Sequence, residues 1–178
     1  METIKTIDTF LKDVTTPARA TIDYIEDGQR YVGNGIIIAA ISDKTSTSRE
    51  FCAGVATKLV NNAMTQTTGN HVNVDVNKLL KASRYMKAAS GSDKSINLTM
   101  QPDGFKLSNN ANDVVTAGQL DSDNFSGIYT TVDVKLLVAV MTMEKRLGSK
   151  KVRLELVNDN MLAISGKATT LIAIIKYY

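Results

Sequence analysis

Lys78, Lys81, Arg84 and Lys87 recur at three-residue steps between Asn77 and Ala89, and no acidic residue falls among them. At helical periodicity they occupy one half of the circumference, with Leu79, Ala82, Ser83, Met86 and Ala89 on the other. Lysine and arginine without acidic neighbours can hold phosphate oxygens by charge, without reading base identity. The same pattern also suits a solvated surface kept soluble by lysines, and charge pattern alone does not separate the two. A weaker basic set, Lys135, Lys145 and Arg146, belongs to a second predicted helix from about Lys135 to Leu147. There Val138, Met141, Met143 and Glu144 spread around more of the circumference, so that helix is expected to be covered by the N-terminal section or by another subunit.

Groups for proton transfer, nucleophilic attack or metal binding are sparse. The one histidine, His71, stands at a predicted strand start beside Asn70 and Asn73 and belongs to no recognisable triad. It reads as a surface or turn residue. The one cysteine, Cys52, falls at an apolar helical position and reads as a small buried side chain. This pair leaves no protein-built zinc site, and a single cysteine allows no internal disulfide and suits a reducing compartment. Asp75 and Asp133 each precede a predicted helix, where a carboxylate accepts from free amide groups, so helix capping explains both without catalysis. Gly33-Asn34-Gly35 is too short for a phosphate loop and lacks the lysine and hydroxyl residue that follow one. Phe105, Phe125, Tyr129, Tyr177 and Tyr178 form no aromatic ladder for stacked bases. Neither an enzymatic activity nor a cofactor is expected.

The chain of 178 residues, 43% hydrophobic, with two prolines and eleven glycines, can bury a real core. Its formal charge of +3 is uneven: seven basic and eight acidic residues up to position 70, fourteen and ten after it. That is too little for a dense nucleic-acid binder and enough for a weaker, geometry-assisted contact with phosphates. No apolar run is long enough to cross a bilayer, and METIKTIDTF lacks the apolar core of a secretory leader. No membrane partner is expected, and the location expected is cytoplasmic, the host cytoplasm if the chain is viral.

The elements that must position these residues follow from periodicity and turn residues. Ile4, Ile7, Phe10, Leu11 and Val14 predict a helix ending near Pro17. Strands are expected over 18–26 and from Tyr31 to Ile41, the second lacking clean alternation as if both its faces were covered. A helix is expected over 49–64, its stripe made of Phe51, Val55, Leu59 or Val60, and Ala63, with Thr65 to Asn70 as a polar connector. From residue 71 the pattern runs twice. VDVNKLLKASRYMKAASGSDKSINLTMQPDGFKLS, from Val74, aligns with VDVKLLVAVMTMEKRLGSKKVRLELVNDNMLAIS, from Val132. Each copy opens a β-α-β-β-β unit of roughly 50 residues. The expected fold class is α+β, with units at 71–120 and 126–178 in one domain of 71–178 and an extra N-terminal α/β segment at 1–70, read as either a degenerate third unit or an oligomerisation element.

Two successive units of this length resemble one domain of a DNA sliding clamp, the processivity factor of replicative polymerases. VDVNKLLKASRYM and VDVKLLVAVMTM resemble the strand-to-helix openings of clamp half-domains, and KSINLTMQPDGFKLS and KKVRLELVNDNMLAIS the strand–turn–strand segments that follow. In that family helices line a central channel and sheets form the outer shell. The resemblance implies duplex DNA as partner through its phosphate backbone, held by Lys78, Lys81, Arg84 and Lys87 and more weakly by Lys135, Lys145 and Arg146. It also implies a DNA polymerase or other replication protein whose peptide enters an apolar pocket, with Leu120, Phe125, Ile174, Tyr177 and Tyr178 as candidate contacts. Closed rings of the family contain twelve helix-bearing half-domains. Four chains complete one if residues 1–70 supply a third half-domain, and six if they do not. So compact a version suggests a phage or other mobile element. The competing reading is an oligomeric structural or scaffold protein with a clamp-like fold, assembled through edge strands near Asp113 to Gln119 and Thr169 to Tyr178.

Overall fold

From Ile37 to Ile41 every side chain is buried, and the alternation hidden in that run sorts them onto two faces. Ile37, Ala39 and Ile41 join one core, while Ile38 and Ala40 join a second on the opposite side. The sheet that contains them is therefore a middle layer. The structure is a computed structural model that describes residues 2–14, 22–42, 55–101, 104–110, 114–117, 127–157 and 160–174. Its elements in chain order are α1 (Glu2–Val14), β1 (Ile22–Glu26), β2 (Gln29–Gly33), β3 (Ile37–Ser42), α2 (Val55–Thr65), β4 (Thr67–Asp75), α3 (Val76–Ala89) and β5 (Ser95–Gln101). There follow β6 (Gly104–Ser108), β7 (Val114–Ala117), β8 (Ile128–Asp133), α4 (Val134–Arg146), β9 (Lys151–Val157), β10 (Met161–Ser165) and β11 (Ala168–Ala173).

A helix followed by a three-stranded antiparallel meander occurs three times: α1-β1-β2-β3, α3-β5-β6-β7 and α4-β9-β10-β11. The strands that precede α3 and α4 are exchanged. β4 pairs antiparallel with β9, and β8 with β5. The result is a seven-stranded sheet, β1-β2-β3-β11-β10-β9-β4, and a four-stranded sheet, β7-β6-β5-β8. In the larger sheet the last strands of two meanders meet: β3 pairs antiparallel with β11 from Ile37↔Ile172 to Ile41↔Ala168. This is a mixed α and β architecture of repeated β-α-β-β-β-like units.

α4 lies between α1 and α3 and packs against both. Ile7, Phe10 and Val14 of α1, Leu137 and Val140 of α4, and Leu79 and Met86 of α3 share one core with the inner faces of both sheets. α2 sits on the opposite face of the large sheet, where Val60 and Ala63 pack with Tyr24, Tyr31 and Leu171. Of the two alternatives for its stripe, Val60 is the buried residue, while Leu59 is exposed.

Three expectations are corrected. The strand from Tyr31 to Ile41 is two strands, because Gly33, at φ 148°, turns the chain so sharply that a side chain there would strike the Ile37 carbonyl. Asn34 holds the turn: its amide donates to the Val14 carbonyl at 2.8 Å, and its oxygen accepts from Ile36 N at 2.8 Å and Ile37 N at 3.2 Å. Gly33-Asn34-Gly35 thus ties the end of α1 to the sheet. Thr65 to Asn70 is no connector, since β4 begins at Thr67 and pairs with β9. The stretch Thr169 to Tyr178 offers no free edge over its described part, because β11 is paired on both sides. Phe51, Cys52 and the loop Leu120 to Asn124 lie outside the described residues, as do residues 175–178.

Candidate nucleic-acid interface

α3 begins where Asp75 accepts from the amide of Lys78 at 2.9 Å and ends at Ser90, whose amide donates to the Met86 carbonyl. α4 begins alike, with Asp133 accepting from the amide of Lys135 at 2.8 Å. Both aspartates are caps, in agreement with their reading from sequence, and each such cap stabilises its helix by about 1 kcal/mol.

Val76, Leu79, Leu80, Ala82, Ser83 and Met86 of α3 are buried. Lys78, Lys81, Arg84 and Lys87 are all exposed, and among the described residues none of the four forms an ion pair. Ala89, expected on the apolar side, is exposed because the last turn, from Lys87, runs past the core. Tyr85 is 58% exposed within the same basic face and was absent from the sequence reading. Its spacing of four from Lys81 and seven from Lys78 was the signal that places it there.

The other two helices of this layer carry less positive charge. In α4 the middle is buried from Leu136 through Glu144 except at Val138 and Thr142, so Lys135 remains exposed at one end and Lys145 and Arg146 at the other. Of the two covers left open by the sequence, the N-terminal section supplies one through α1. On α1 the exposed Lys5 and Lys12 are balanced by the exposed Asp8 and Asp13. The positive face therefore belongs mainly to α3, flanked by the ends of α4.

Glu144 is fully buried and structural. Its carboxylate accepts from Ser149 Oγ at 2.5 Å, Lys167 N at 2.9 Å and Ala168 N at 3.1 Å, fastening α4 to the β10–β11 turn. Burial pushes its carboxyl above the usual range, and the three donors pull the other way without cancelling that effect. His71 lies within β4 opposite Glu155, half-buried. Among the described residues no group of three or more His, Cys, Asp or Glu side chains could hold a metal ion. No helix among them is long and apolar enough to cross a membrane.

A pocket of about 50 Å³ opens on the α2 side of the large sheet. It straddles the seam between β3 and β11, lined by Ile36 and Ile38 from one strand region, Leu171 and Ala173 from the other, Met161 of β10 and Leu59 of α2. Ile174 follows Ala173 directly and donates its amide to the Asn160 carbonyl. The other candidate partner contacts, Leu120, Phe125, Tyr177 and Tyr178, lie outside the described residues.

No family model matches the sequence, and no curated protein does. Solved structures match it in shape. The DNA polymerase III subunit beta of Pseudomonas aeruginosa superposes with a TM-score of 0.69 at 9% identity, over 99% of this chain and 65% of that one. A DNA polymerase III beta subunit from Eubacterium rectale gives 0.69 at 12% identity, over 99% and 65%. The Proliferating Cellular Nuclear Antigen of Entamoeba histolytica gives 0.63 at 12%, over 98% and 96%. The chain thus spans 65% of the length of the two bacterial subunits. At such identities the likeness lies in the fold, and that fold is the one seen in the DNA polymerase III beta subunit and Proliferating Cellular Nuclear Antigen structures.

Proposed function

We propose that this chain is a noncatalytic, sliding-clamp-like processivity factor that assembles into a ring around duplex DNA and tethers a polymerase. The observation that carries the reading is the layer of α1, α4 and α3 side by side, backed by two sheets, with α3 exposing four cations that form no ion pair among the described residues. Lys78, Lys81, Arg84 and Lys87 supply attraction to the phosphate backbone; Lys135, Lys145 and Arg146 add to it at the ends of α4. A face of this kind gives affinity without sequence preference, which suits a protein that must move along DNA. The pocket over the β3–β11 seam, whose lining includes Ala173 next to Ile174, is where a short apolar peptide of the polymerase docks. Three helix-and-meander units per chain make four chains the number that completes a twelve-unit ring.

The test is topological. The protein is loaded on nicked circular duplex and on the same DNA made linear, then washed with rising salt. Retention on circles with loss from linear DNA through its ends is the expected result. Equal retention on both, or release from both at the same salt, defeats encirclement and favours an assembly or scaffold role instead.

A further inference from the structure

We infer that the free edge of β7 binds β7 of a second copy of this chain, antiparallel and about a two-fold axis. Among the described residues the units are joined in two ways. Where a unit has a preceding strand, that strand crosses to the neighbouring unit, as β4 does to β9 and β8 to β5. Otherwise the last strand of one meander pairs antiparallel with the last strand of another, as β3 does with β11. β7 is the last strand of its meander and forms an edge of its sheet, paired among the described residues to β6 alone. The other two last strands are already joined to each other. Among the described residues, the last-strand edge left to complement β7 is therefore β7 of another copy.

Its sequence fits that use. Val114, Val115, Thr116 and Ala117 include no charge and no proline, the devices that usually protect an exposed edge. An antiparallel pair of identical strands is self-complementary, so the contact closes at two copies and does not propagate. The axis stands perpendicular to the joined sheet, so both copies keep their helices on the same side. At the β3–β11 seam the neighbouring helices α1 and α4 likewise share one side and pack together. The dimer sets the two copies of α3 side by side and doubles the basic face. The repulsion between the two is relieved by salt or by a polyanion. The ring reading supplies the number of copies; the pairing stands on topology and is tested without DNA.

Sedimentation of the full chain across a concentration series reads the association directly. A monomer–dimer equilibrium is expected, strengthened by added salt. Val115→Pro and Thr116→Pro remove adjacent amides, one of which faces the free edge and the other β6. The edge-facing variant is expected to keep the circular dichroism and melting of the parent and sediment as a monomer. Should both variants unfold, cysteines decide: in a Cys52→Ser background, Val115→Cys or Thr116→Cys gives a disulfide-linked dimer on oxidation, and Ile25→Cys on β1 does not. Monomer at every concentration, a dimer that survives both folded proline variants, or cross-linking at Ile25→Cys in place of β7 overturns the inference.

Discussion

In the proposed DNA contact Lys78, Lys81, Arg84 and Lys87 would act by charge number, so their contribution to binding is expected to be graded. Each one changed to glutamine lowers the slope of log affinity against log salt by about 0.9 if it contacts a phosphate. A filter-binding series on one duplex measures this, and four changes with an unaltered slope remove α3 from the DNA contact. Tyr85 stands exposed among these cations and was not legible from sequence as part of the face, because a lone aromatic residue gives no stacking ladder. Glu144 makes the opposite kind of case, a carboxylate whose work is internal. Burial raises its pKa in the folded chain, so the folded protein holds the proton more tightly than the unfolded one. Stability therefore falls as pH rises from about 4.5 through the folded value and levels off above it. In Glu144→Gln that decline is expected to flatten, as followed by thermal melts across the same range.

Helices were legible in the sequence where capping and periodicity agreed. Asp75 and Asp133 marked two starts, and α3 and α4 begin within a residue of where Asn77 and Lys135 predicted. Strands buried on both faces were less so. From Tyr31 to Ile41 the apolar run hid a turn, since alternation cannot be seen when both faces are apolar. The start of β4 was lost because Thr67 to Asn70 has the composition of a loop, and only its partner β9 makes it a strand. The pocket was illegible for a related reason: β3, α2, β10 and β11 contribute to it from distant parts of the chain. α2 is held there by Thr57, whose amide donates to the Tyr24 hydroxyl at 2.6 Å and whose hydroxyl donates to the Glu26 carboxylate. Thr57→Val is expected to cost about 1–2 kcal/mol and to speed amide exchange in α2 first, with α3 and α4 unchanged. Leu59→Glu, at the pocket wall, is expected to abolish capture of the polymerase peptide and to leave duplex affinity unchanged; a loss of both places the pocket outside the docking role.

At the scale of the molecule, the unit count and the edges set what can assemble. Free of DNA, native mass spectra are expected to show one and two copies; loaded on circular duplex, images are expected to show a closed ring of four. A stable six-copy ring, or an open filament, contradicts three units per chain acting alike. The repeat at residues 71–178 was legible because its two copies resemble each other; α1-β1-β2-β3 was legible only as one of two alternatives for residues 1–70, since it has no preceding strand and little shared sequence. The seam between β3 and β11 has a mechanical consequence. Across it run a five-residue ladder and a core in which Phe10 and Ile37 lie with Leu137 and Ile172. Parting it would wet that core, whereas the edges of β1 and β7 can separate from a neighbour with each chain's own interior still dry. In the proposed ring, a gate that admits DNA would therefore lie between chains, and each chain would travel through opening and closing as one stiff segment of the hoop.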